Sequence, residues 1–411
     1  MRYDVAIVGG GAAGLAAAVM AAREGLSVAV LEKAPRVGRK LLATGNGTCN
    51  ITNIAAAPAY YHGADVAFVQ PALAAFSPTA AMEFFESIGV TCRVREDGRV
   101  YPLCEQAAAV LDQLRAECAA RDVTEQVDTA VTALRPGKGG FLVESSGGNV
   151  SAGAVLVTAG GAASPSLGGC TDGYSLLTAL GHEKTPLFPA ITQIRADSQW
   201  LRAVKGLRVD ATLTLCQKGR PVASQTGELL FTDYGLSGPA ALQISRIAGD
   251  WERQKKGDLV ALVDLLPDWS EVEVAAEVRR RRVLPGRTLE EMLTGLLNKR
   301  IGQTVLRAAG ALPLGRPASS LSDKEVAAVA ATIKNWQFPV SGTKGLAAAQ
   351  VTAGGVATAG FDPHTLESRR VPGLYAAGEV LDIDGECGGF NLQWAWSSAF
   401  LATRAIAERS R

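Results

Sequence analysis

The stretch Val5-Ala6-Ile7-Val8-Gly9-Gly10-Gly11-Ala12-Ala13-Gly14 decides the fold of the N-terminal region. Its apolar half predicts a buried parallel strand, and its glycines satisfy the spacing G-x-G-x-x-G. In that spacing Gly9 permits a tight turn, Gly11 lets the backbone approach a pyrophosphate, and Gly14 lets the next helix pack closely on the strand. The residues that follow, Ala12 to Arg23, predict this helix, and its N-terminus would carry about half a positive charge toward the phosphates.

An acidic residue stands where a dinucleotide fold places its ribose ligand. A second predicted strand, Ser27 to Leu31, ends at Glu32, which follows the last glycine of the turn by 18 residues. A carboxylate at this distance binds the ribose hydroxyls of a dinucleotide. The residues predicted to contact the adenosine diphosphate portion are Gly9, Gly11, Ala13, Gly14, Glu32 and Lys33.

The next segment favours FAD over NAD. An NAD-binding domain would continue into another strand–helix unit, whereas residues 38–53 have the composition of a long loop rich in Gly, Asn and Thr. Such a loop is explained by backbone and amide groups that wrap a long ligand, although a surface loop without a ligand is an alternative. We therefore predict non-covalent FAD. The predicted contacts are Arg39 and Lys40 at the pyrophosphate, and Thr44, Gly45 and Asn50 at the ribityl chain and flavin ring.

Two later segments are predicted to return to the same cofactor. The apolar run Val155 to Thr158 leads into Ala159 and Gly160 without forming a second G-x-G-x-x-G. We therefore predict a strand that joins the first sheet and brings Ala159 and Gly160 to the cofactor. A β-prone stretch at Val131 is predicted to present backbone to the adenine, with a simple edge strand as the alternative.

The C-terminal region repeats the pattern of a strand followed by a glycine-rich loop. Gly373 to Glu379 is followed by the pair Gly388-Gly389 and by a helix predicted to begin near Asn391. A helix N-terminus favours the negative charge that develops on a flavin ring during reduction. Trp394 and Trp396 on this helix are predicted to pack in the core. The predicted cofactor contacts here are Gly378, Glu379, Asp382, Gly389, Asn391 and Leu392.

The sequence predicts an α/β protein with a discontinuous Rossmann-type domain, residues 1–187 and 345–411, interrupted by an insert. Alternating apolar residues predict a β-barrel-like part over 188–266. Capping boxes such as Ser270 with Glu273 predict a helical part over 267–335. Ser237 is predicted to cap a helix whose first turn contains a proline.

Composition restricts the partners. The 41 basic and 40 acidic residues leave a net charge of +1, so binding to nucleic acid or an anionic membrane is not expected. The seven cysteines form no C-x-x-C pair or metal-like spacing, so no metal is predicted and reduced thiols are expected. The sequence has neither a signal peptide nor an apolar run of about 20 residues, which predicts a soluble, cytoplasmic protein. The oligomeric state stays open.

The chain resembles a bacterial flavoprotein family of NAD(P)/FAD-dependent oxidoreductases, with branches similar to bile-acid dienone reductases and aminoacetone oxidases. The resemblance covers nearly the whole chain and implies FAD and redox chemistry. One departure stands at Thr48, where the family motif usually has an arginine. The segments that carry the resemblance are Gly9–Gly14, Gly38–Asn53, Gly227–Pro239 and Val351–Trp396.

The favoured function is hydride transfer from NAD(P)H through FAD to a conjugated carbonyl compound or a similar small acceptor. Alternatives are an oxidase that uses an amine-type donor and dioxygen, thiol chemistry at Cys49 or Cys387, and a non-enzymatic flavin-binding protein. No catalytic residue is assigned. The weaker candidates for a general acid are Asp233, Tyr234 and Glu386.

Overall fold

The computed structural model describes residues 2–255 and 257–411. The strands are β1 (Arg2–Val8), β2 (Val28–Leu31), β3 (Thr52–Asn53), β4 (Tyr61–His62), β5 (Cys92–Val94), β6 (Arg99–Pro102), β7 (Thr124–Gln126), β8 (Val131–Gly137), β9 (Gly140–Ser145), β10 (Val150–Val157), β11 (Phe188–Ala190), β12 (Ile194–Ala196), β13 (Arg208–Gln217), β14 (Arg220–Phe231), β15 (Gly235–Ser237), β16 (Leu259–Asp264), β17 (Trp336–Thr343), β18 (Val351–Ala353), β19 (Leu374–Ala376) and β20 (Asp384–Gly385). The α-helices are α1 (Ala12–Arg23), α2 (Arg39–Ala43), α3 (Gln70–Ala75), α4 (Pro78–Ser87), α5 (Ala107–Ala120), α6 (Asp172–Ala179), α7 (Leu201–Val204), α8 (Pro239–Gln254), α9 (Glu271–Arg282), α10 (Leu289–Met292), α11 (Lys299–Ala308), α12 (Asp323–Lys334) and α13 (Phe390–Ser410).

The first of two compact units comprises the chain up to Phe188 and again from Ala349 to Arg411. Its seven-stranded sheet has the order β7-β2-β1-β10-β9-β8, and β19 also pairs with β10. The strands β7, β2, β1, β10 and β19 pair in parallel, whereas β9 and β8 are antiparallel. The predicted return of the strand near residue 155 to the first sheet is therefore confirmed, and β8 lies at the sheet edge.

Helices α1 and α13 pack against each other within this unit. Ala16, Ala17 and Ala18 of α1 are fully buried, as is Trp396 of α13. Alanine has a high helix propensity and a small side chain, so α1 approaches its neighbours closely while staying helical. The helix ends at Arg23, and Gly25 two residues later has a φ of 82°, the left-handed conformation that glycine favours after a helix end.

The second unit, Pro189–Ala348, contains a closed barrel of β12-β15-β14-β13-β16-β17. Its core holds a cluster of three rings, because Phe231 lies 5.8 Å from Trp336 and 5.9 Å from Phe338 between ring centroids. The insert was predicted to run over 188–344 with its barrel ending at 266. The barrel part of that prediction is incomplete, because β17 follows the helices and closes the barrel by pairing with β12 and β16.

The helical part of this unit begins at side-chain caps that the sequence predicts. Ser270 accepts the backbone N–H of Glu273 at 3.3 Å, and the Glu273 carboxylate accepts the Ser270 N–H at 2.7 Å. The predicted cap at Ser237 is wrong. That residue lies in β15 opposite Leu230, and α8 begins after Gly238. Within the described residues, no helix is both long and apolar enough to cross a membrane.

Removing the central ring of the barrel cluster should destabilise the second unit. Phe231 is 0% exposed, so Phe231→Ala leaves a cavity beside the indole ring of Trp336 and the phenyl ring of Phe338. The substitution is expected to cost roughly 3–5 kcal/mol of unfolding free energy. Urea denaturation followed by circular dichroism measures the change. The control Val222→Ala alters a side chain that is 44% exposed and should stay within about 0.5 kcal/mol of the parent. Equal losses for both variants would contradict a core role for Phe231.

Candidate functional site

The glycine turn joins β1 to α1 by direct backbone packing. A Cβ atom added at Gly14 would lie 2.0 Å from the carbonyl oxygen of Gly9, so no other residue fits there without moving the turn. The Thr158 hydroxyl, just beyond β10, donates to the same carbonyl oxygen at 2.8 Å. At Gly11, which is the N-cap of α1, an added Cβ would meet no described atom within 4 Å. The turn is therefore rigid on its sheet side and open at the helix N-terminus.

Glu32 holds the same turn from the end of β2. One carboxylate oxygen accepts the N–H of Gly10 at 2.8 Å, and the other accepts the N–H of Ala34 at 2.8 Å. A carboxylate has about four acceptor positions, so two remain for ribose hydroxyls. The Thr129 N–H donates to the Glu32 carbonyl oxygen at 2.8 Å, which brings the start of β8 at Val131 near this carboxylate. The ribose role of Glu32 and the adenine role of Val131 stay predictions.

A second charged group joins segments that are distant in sequence. The ammonium group of Lys40 lies 2.8 Å from the Glu379 carboxylate, whose other oxygen accepts the N–H of Thr352 at 2.9 Å. Side chains in the pair are 30% and 21% exposed, so solvent screens them only in part. Arg39, the neighbour of Lys40, donates to the Ser166 carbonyl oxygen at 2.8 Å. The structure thus ties the predicted pyrophosphate segment to Glu379 of the predicted C-terminal cofactor segment.

Lys33, Ala159 and Gly160 are three further residues that the sequence predicts to contact the cofactor. Lys33 is 2.9 Å from Asp172 in an exposed ion pair. Ala159 packs against the glycine turn, because a Cβ at Gly9 would lie 2.8 Å from its Cα. An added Cβ at Gly160 would meet no described atom within 4 Å, which leaves its surface open to a ligand.

The N-terminus of α13 lies against the 44–53 segment. Gly389 is its N-cap with a φ of 100°, and an added Cβ would lie 2.5 Å from the Thr52 carbonyl carbon and 2.9 Å from Asn50 Oδ1. The side-chain amide of Asn391 bonds both the N–H and the carbonyl oxygen of Gly385, at 2.8 and 2.7 Å. The Asn391 side chain is therefore used within the protein, and its backbone N–H is the group available at the helix end.

One buried acceptor at this end has no donor. Among the residues that the structure describes, none donates to the buried Oδ1 of Asn50. An unsatisfied buried acceptor costs roughly 1–3 kcal/mol, so it favours a ligand that carries an N–H or O–H group. The isoalloxazine ring of FAD carries such a group. The residues present therefore fit FAD, with Glu32 and the glycine turn at one end and Asn50 and α13 at the other.

The predicted 38–53 loop is wrong in part. Its first half forms α2, and its end forms β3, which pairs with β6. Leu41 and Ile51 anchor these elements, since they are 2% and 0% exposed. The predicted packing roles of the two tryptophans are confirmed. The indole N–H of Trp394 donates to Gly378 at 3.1 Å, and that of Trp396 donates to Ile51 at 2.9 Å.

Sequence reasoning missed Thr158 and Thr352. The Thr158 hydroxyl donates to the Gly9 carbonyl oxygen, and the Thr352 hydroxyl accepts the Ala163 N–H at 2.8 Å. A signal was present, because Val-Thr-Ala-Gly-Gly occurs at residues 157–161 and again at 351–355. The first copy begins at the carboxyl end of β10, where Rossmann-type folds bind ligands, and the second begins with the first residue of β18.

The thiol alternative receives no support from the geometry. Burial raises the pKa of Cys49 to about 12, so this residue stays a neutral thiol near pH 7. Burial also raises the pKa of Cys387. Of the weaker acid candidates, Asp233 is exposed in the second unit and pairs with Lys205 at 2.6 Å. Within the described residues, no three His, Cys, Asp or Glu side chains form a metal-binding group.

Replacing Glu32 should loosen FAD binding. Glu32→Ala removes the acceptor that holds the Gly10 N–H and the predicted ribose contact, so affinity should fall by roughly 1.5–3 kcal/mol, about one to two decades in Kd. Fluorescence titration of apoprotein with FAD gives the constant. The control Glu24→Ala removes an exposed carboxylate at the end of α1 and should leave the Kd unchanged. An unaltered Kd for Glu32→Ala would remove this residue from the site.

Lys40 and Glu379 should act as a unit in FAD binding. We expect Lys40→Met and Glu379→Gln each to weaken FAD binding. The double variant should lose at least about 0.5 kcal/mol less binding free energy than the two single variants lose together. The same FAD titration on four proteins completes the cycle. The matched control pair, Arg23 with Glu117, has similar exposure but lies at the far end of α1, and its cycle should show no coupling. Additive losses at Lys40 and Glu379 would contradict a shared role.

Comparison with known proteins identifies the family of the chain. A model of the family described as HI0933-like protein Rossmann domain matches residues 3–405. The chain is 37% identical over 409 residues to the 3-dehydro-bile acid delta(4,6)-reductase of Clostridium scindens, covering 98% of this chain and 99% of that protein. It is 31% identical over 410 residues to the ribosomal RNA dihydrouridine synthase of Escherichia coli, covering 98% of each.

A solved structure shows the same fold. It is the 3-ketosteroid delta1-dehydrogenase from Sterolibacterium denitrificans in complex with 1,4-androstadiene-3,17-dione. The TM-score is 0.53 at 14% identity, with 99% of this chain and 100% of that chain covered. Together with the matched family model and the two relatives, these observations lead to one conclusion. The chain belongs to the HI0933-like Rossmann-domain family and is an FAD-dependent oxidoreductase.

Proposed function

We propose that the protein reduces a carbon–carbon double bond conjugated with a carbonyl group in a small organic molecule, with NAD(P)H as the reductant. The observation that carries this proposal is the 37% identity, over 98% of the chain, to a reductase whose name specifies a 3-dehydro-bile acid and its 4,6 double bonds. FAD supplies hydride transfer when it is bound. The residues described above bind and orient it.

The N-terminus of α13 provides a positive electrostatic potential at the end of the site where the flavin ring is proposed to lie. Helix α13 has 21 residues, and the N–H groups of its first turn point out of its N-terminus beside Asn50. These groups and the helix dipole stabilise negative charge, and they are fixed before reaction by the Asn391 clamp on Gly385. A fixed field at this position favours acceptance of electrons by the ring. It does not identify the acceptor to which the electrons pass next.

A second candidate is reduction of the uracil ring in RNA. It is favoured by the 31% identity, over 98% of the chain, to a ribosomal RNA dihydrouridine synthase. The reducible double bond of uracil is conjugated with a carbonyl, so the reaction at the carbon atoms is of the same type. The charge balance of +1 makes RNA unexpected from composition alone. The two candidates therefore differ in how the substrate is held and agree in the bond that is reduced.

Rapid mixing separates the proposed reductase from the alternatives. Anaerobic FAD-loaded protein should lose its absorbance near 450 nm when mixed with NADH or NADPH, because the nicotinamide supplies the hydride. Adding a 3-oxo-4,6-diene steroid acid should then restore the absorbance, and a uridine oligonucleotide should do so if the second candidate holds. The control is Gly14→Val, whose side chain collides with the Gly9 carbonyl and prevents FAD loading. Bleaching by amines but not by NAD(P)H would overturn the proposal in favour of an oxidase.

A further inference from the structure

A group of basic side chains surrounds helix α7 in the second unit. Arg202 lies on α7, Lys205 follows its last residue, and Arg300 is the second residue of the neighbouring helix α11. The fourth is Lys344, just after β17. All four residues are exposed. We call them the α7 surface.

Hydrogen bonds, an ion pair and a ring contact connect Arg300, Lys205 and Lys344, and Arg202 adjoins them on α7. The guanidinium group of Arg300 donates to the Ala203 carbonyl oxygen at 2.7 Å and to the Lys205 carbonyl oxygen at 3.5 Å. The Lys205 ammonium group pairs with Asp233 at 2.6 Å. The next residue, Tyr234, has the Lys344 ammonium group 4.5 Å from its ring centroid. The cations therefore lie on α7, on α11 and just after β17, around the turn between β14 and β15 that holds Asp233 and Tyr234.

The α7 surface carries a net positive charge. Lys205 pairs with Asp233, and hydrogen bonding from Lys205 holds the pKa of that carboxyl below its usual range, so one cation is neutralised. Arg300 donates to backbone carbonyl oxygens, which carry no net charge, and the Lys344 ammonium group makes a cation–π contact with the uncharged Tyr234 ring. Among the residues that the structure describes, Arg202 has no carboxylate within 4.0 Å. Three of the four positive charges are thus left for a ligand.

A groove begins at the other end of the same short helix. It has a volume of about 350 Å³, at the lower end of the range for ligand pockets. Its wall includes Trp200, the residue before α7, and its exposed rim includes the side-chain amides of Asn335 and Gln337. The lining residues are Trp200, Ala308, Ala331, Thr332, Asn335, Trp336 and Gln337, none of which is charged.

The groove and the cations are adjacent in space. Trp200 is the N-cap and Lys205 the C-cap of α7, which has only four residues. At 1.5 Å per residue, these two ends are separated by about 8 Å along the helix. An uncharged aromatic groove therefore lies about one helical turn from a group of unneutralised cations. This arrangement matches a ligand that carries a flat polar ring close to several negative charges.

We propose that the α7 surface binds single-stranded RNA, with phosphates at Arg202, Arg300 and Lys344 and an unpaired base against Trp200 in the groove. The choice of RNA rests on the second candidate function. A small carboxylic acid is satisfied by one bidentate cation, whereas charges spread over two helices and the end of β17 fit a chain of phosphates. Aromatic side chains stack on unpaired bases, and amides such as Asn335 and Gln337 bond to base edges.

Binding is measured without turnover, by fluorescence anisotropy of a 5′-labelled single-stranded 12-nucleotide RNA added to FAD-loaded protein. Lys205→Glu with Lys344→Gln should raise the Kd at least about tenfold and lower the slope of log K against log salt by about one per lost phosphate contact. The matched control is Lys324→Glu on α12, which makes the same charge change as Lys205→Glu about 10 Å along that helix from the groove. It should bind like the parent.

The groove is tested with variants that keep the fold. Trp200→Phe and Gln337→Ala should each raise the Kd for RNA about three- to tenfold while leaving the salt slope unchanged, because they alter base contacts. Melting temperatures and FAD content confirm intact protein.

The proposal would be overturned if the double variant, Lys205→Glu with Lys344→Gln, had the same Kd for RNA as the Lys324→Glu control and the parent. Binding of duplex DNA or of a steroid acid to this surface more tightly than the RNA would also overturn it. Flavin reoxidation by the enone and by the oligonucleotide is measured separately. Failure of RNA binding is thereby distinguished from failure of the proposed reduction.

Discussion

The cofactor unit depends on the close contact between Gly14 and the carbonyl oxygen of Gly9. No Cβ fits between them, so α1 packs against the end of β1 at backbone distance. The contact is reinforced from two sides, by the Thr158 hydroxyl on the same oxygen and by the Glu32 carboxylate on the neighbouring N–H of Gly10. Because these partners end β10 and β2, the turn fixes the spacing of the three central strands at the edge where a ligand binds.

Helix α13 provides the second fixed point. Its buried polar side chains bond to backbone groups of segments that are remote in sequence, with Trp396 bound to Ile51 and Gln393 Nε2 bound to Phe76 at 2.9 Å. Buried polar groups that are fully bonded specify one arrangement, because every alternative leaves some of them unsatisfied. The position of the helix N-terminus beside Asn50 follows from these bonds together with the Asn391 clamp. The electrostatics of the redox end are thus set by core packing.

The sequence predicted those elements whose residues carry a recognisable pattern within a short stretch of chain. The glycine turn, α1, β10 and the capping box at Ser270 each have a signal within about ten residues. Helix α2 was missed because five residues are too few for helical periodicity, and its anchor Leu41 is buried by tertiary packing. Strand β17 was missed because its partners β12 and β16 lie far away in sequence. Ser237 precedes a helix and resembles a cap, but pairing with Leu230 places it in a strand. The candidate contacts at both ends of the cofactor unit were assigned from motifs, whereas the bonds of Lys40 with Glu379 and of Thr352 join remote segments and required the fold.

The division of the cofactor unit into two pieces of sequence has a consequence for biosynthesis. The second unit is continuous, from Pro189 to Ala348, so its barrel can close as soon as β17 has left the ribosome. The cofactor unit can complete its fold only after α13 has emerged from the ribosome, because α13 supplies the hydrogen-bond partners of Ile51 and Phe76. Since domains fold largely as units during synthesis, the first 188 residues must wait for more than half of the chain. Until then the apolar face of α1 that α13 covers stays exposed, which makes the nascent N-terminal segment a natural client for chaperones.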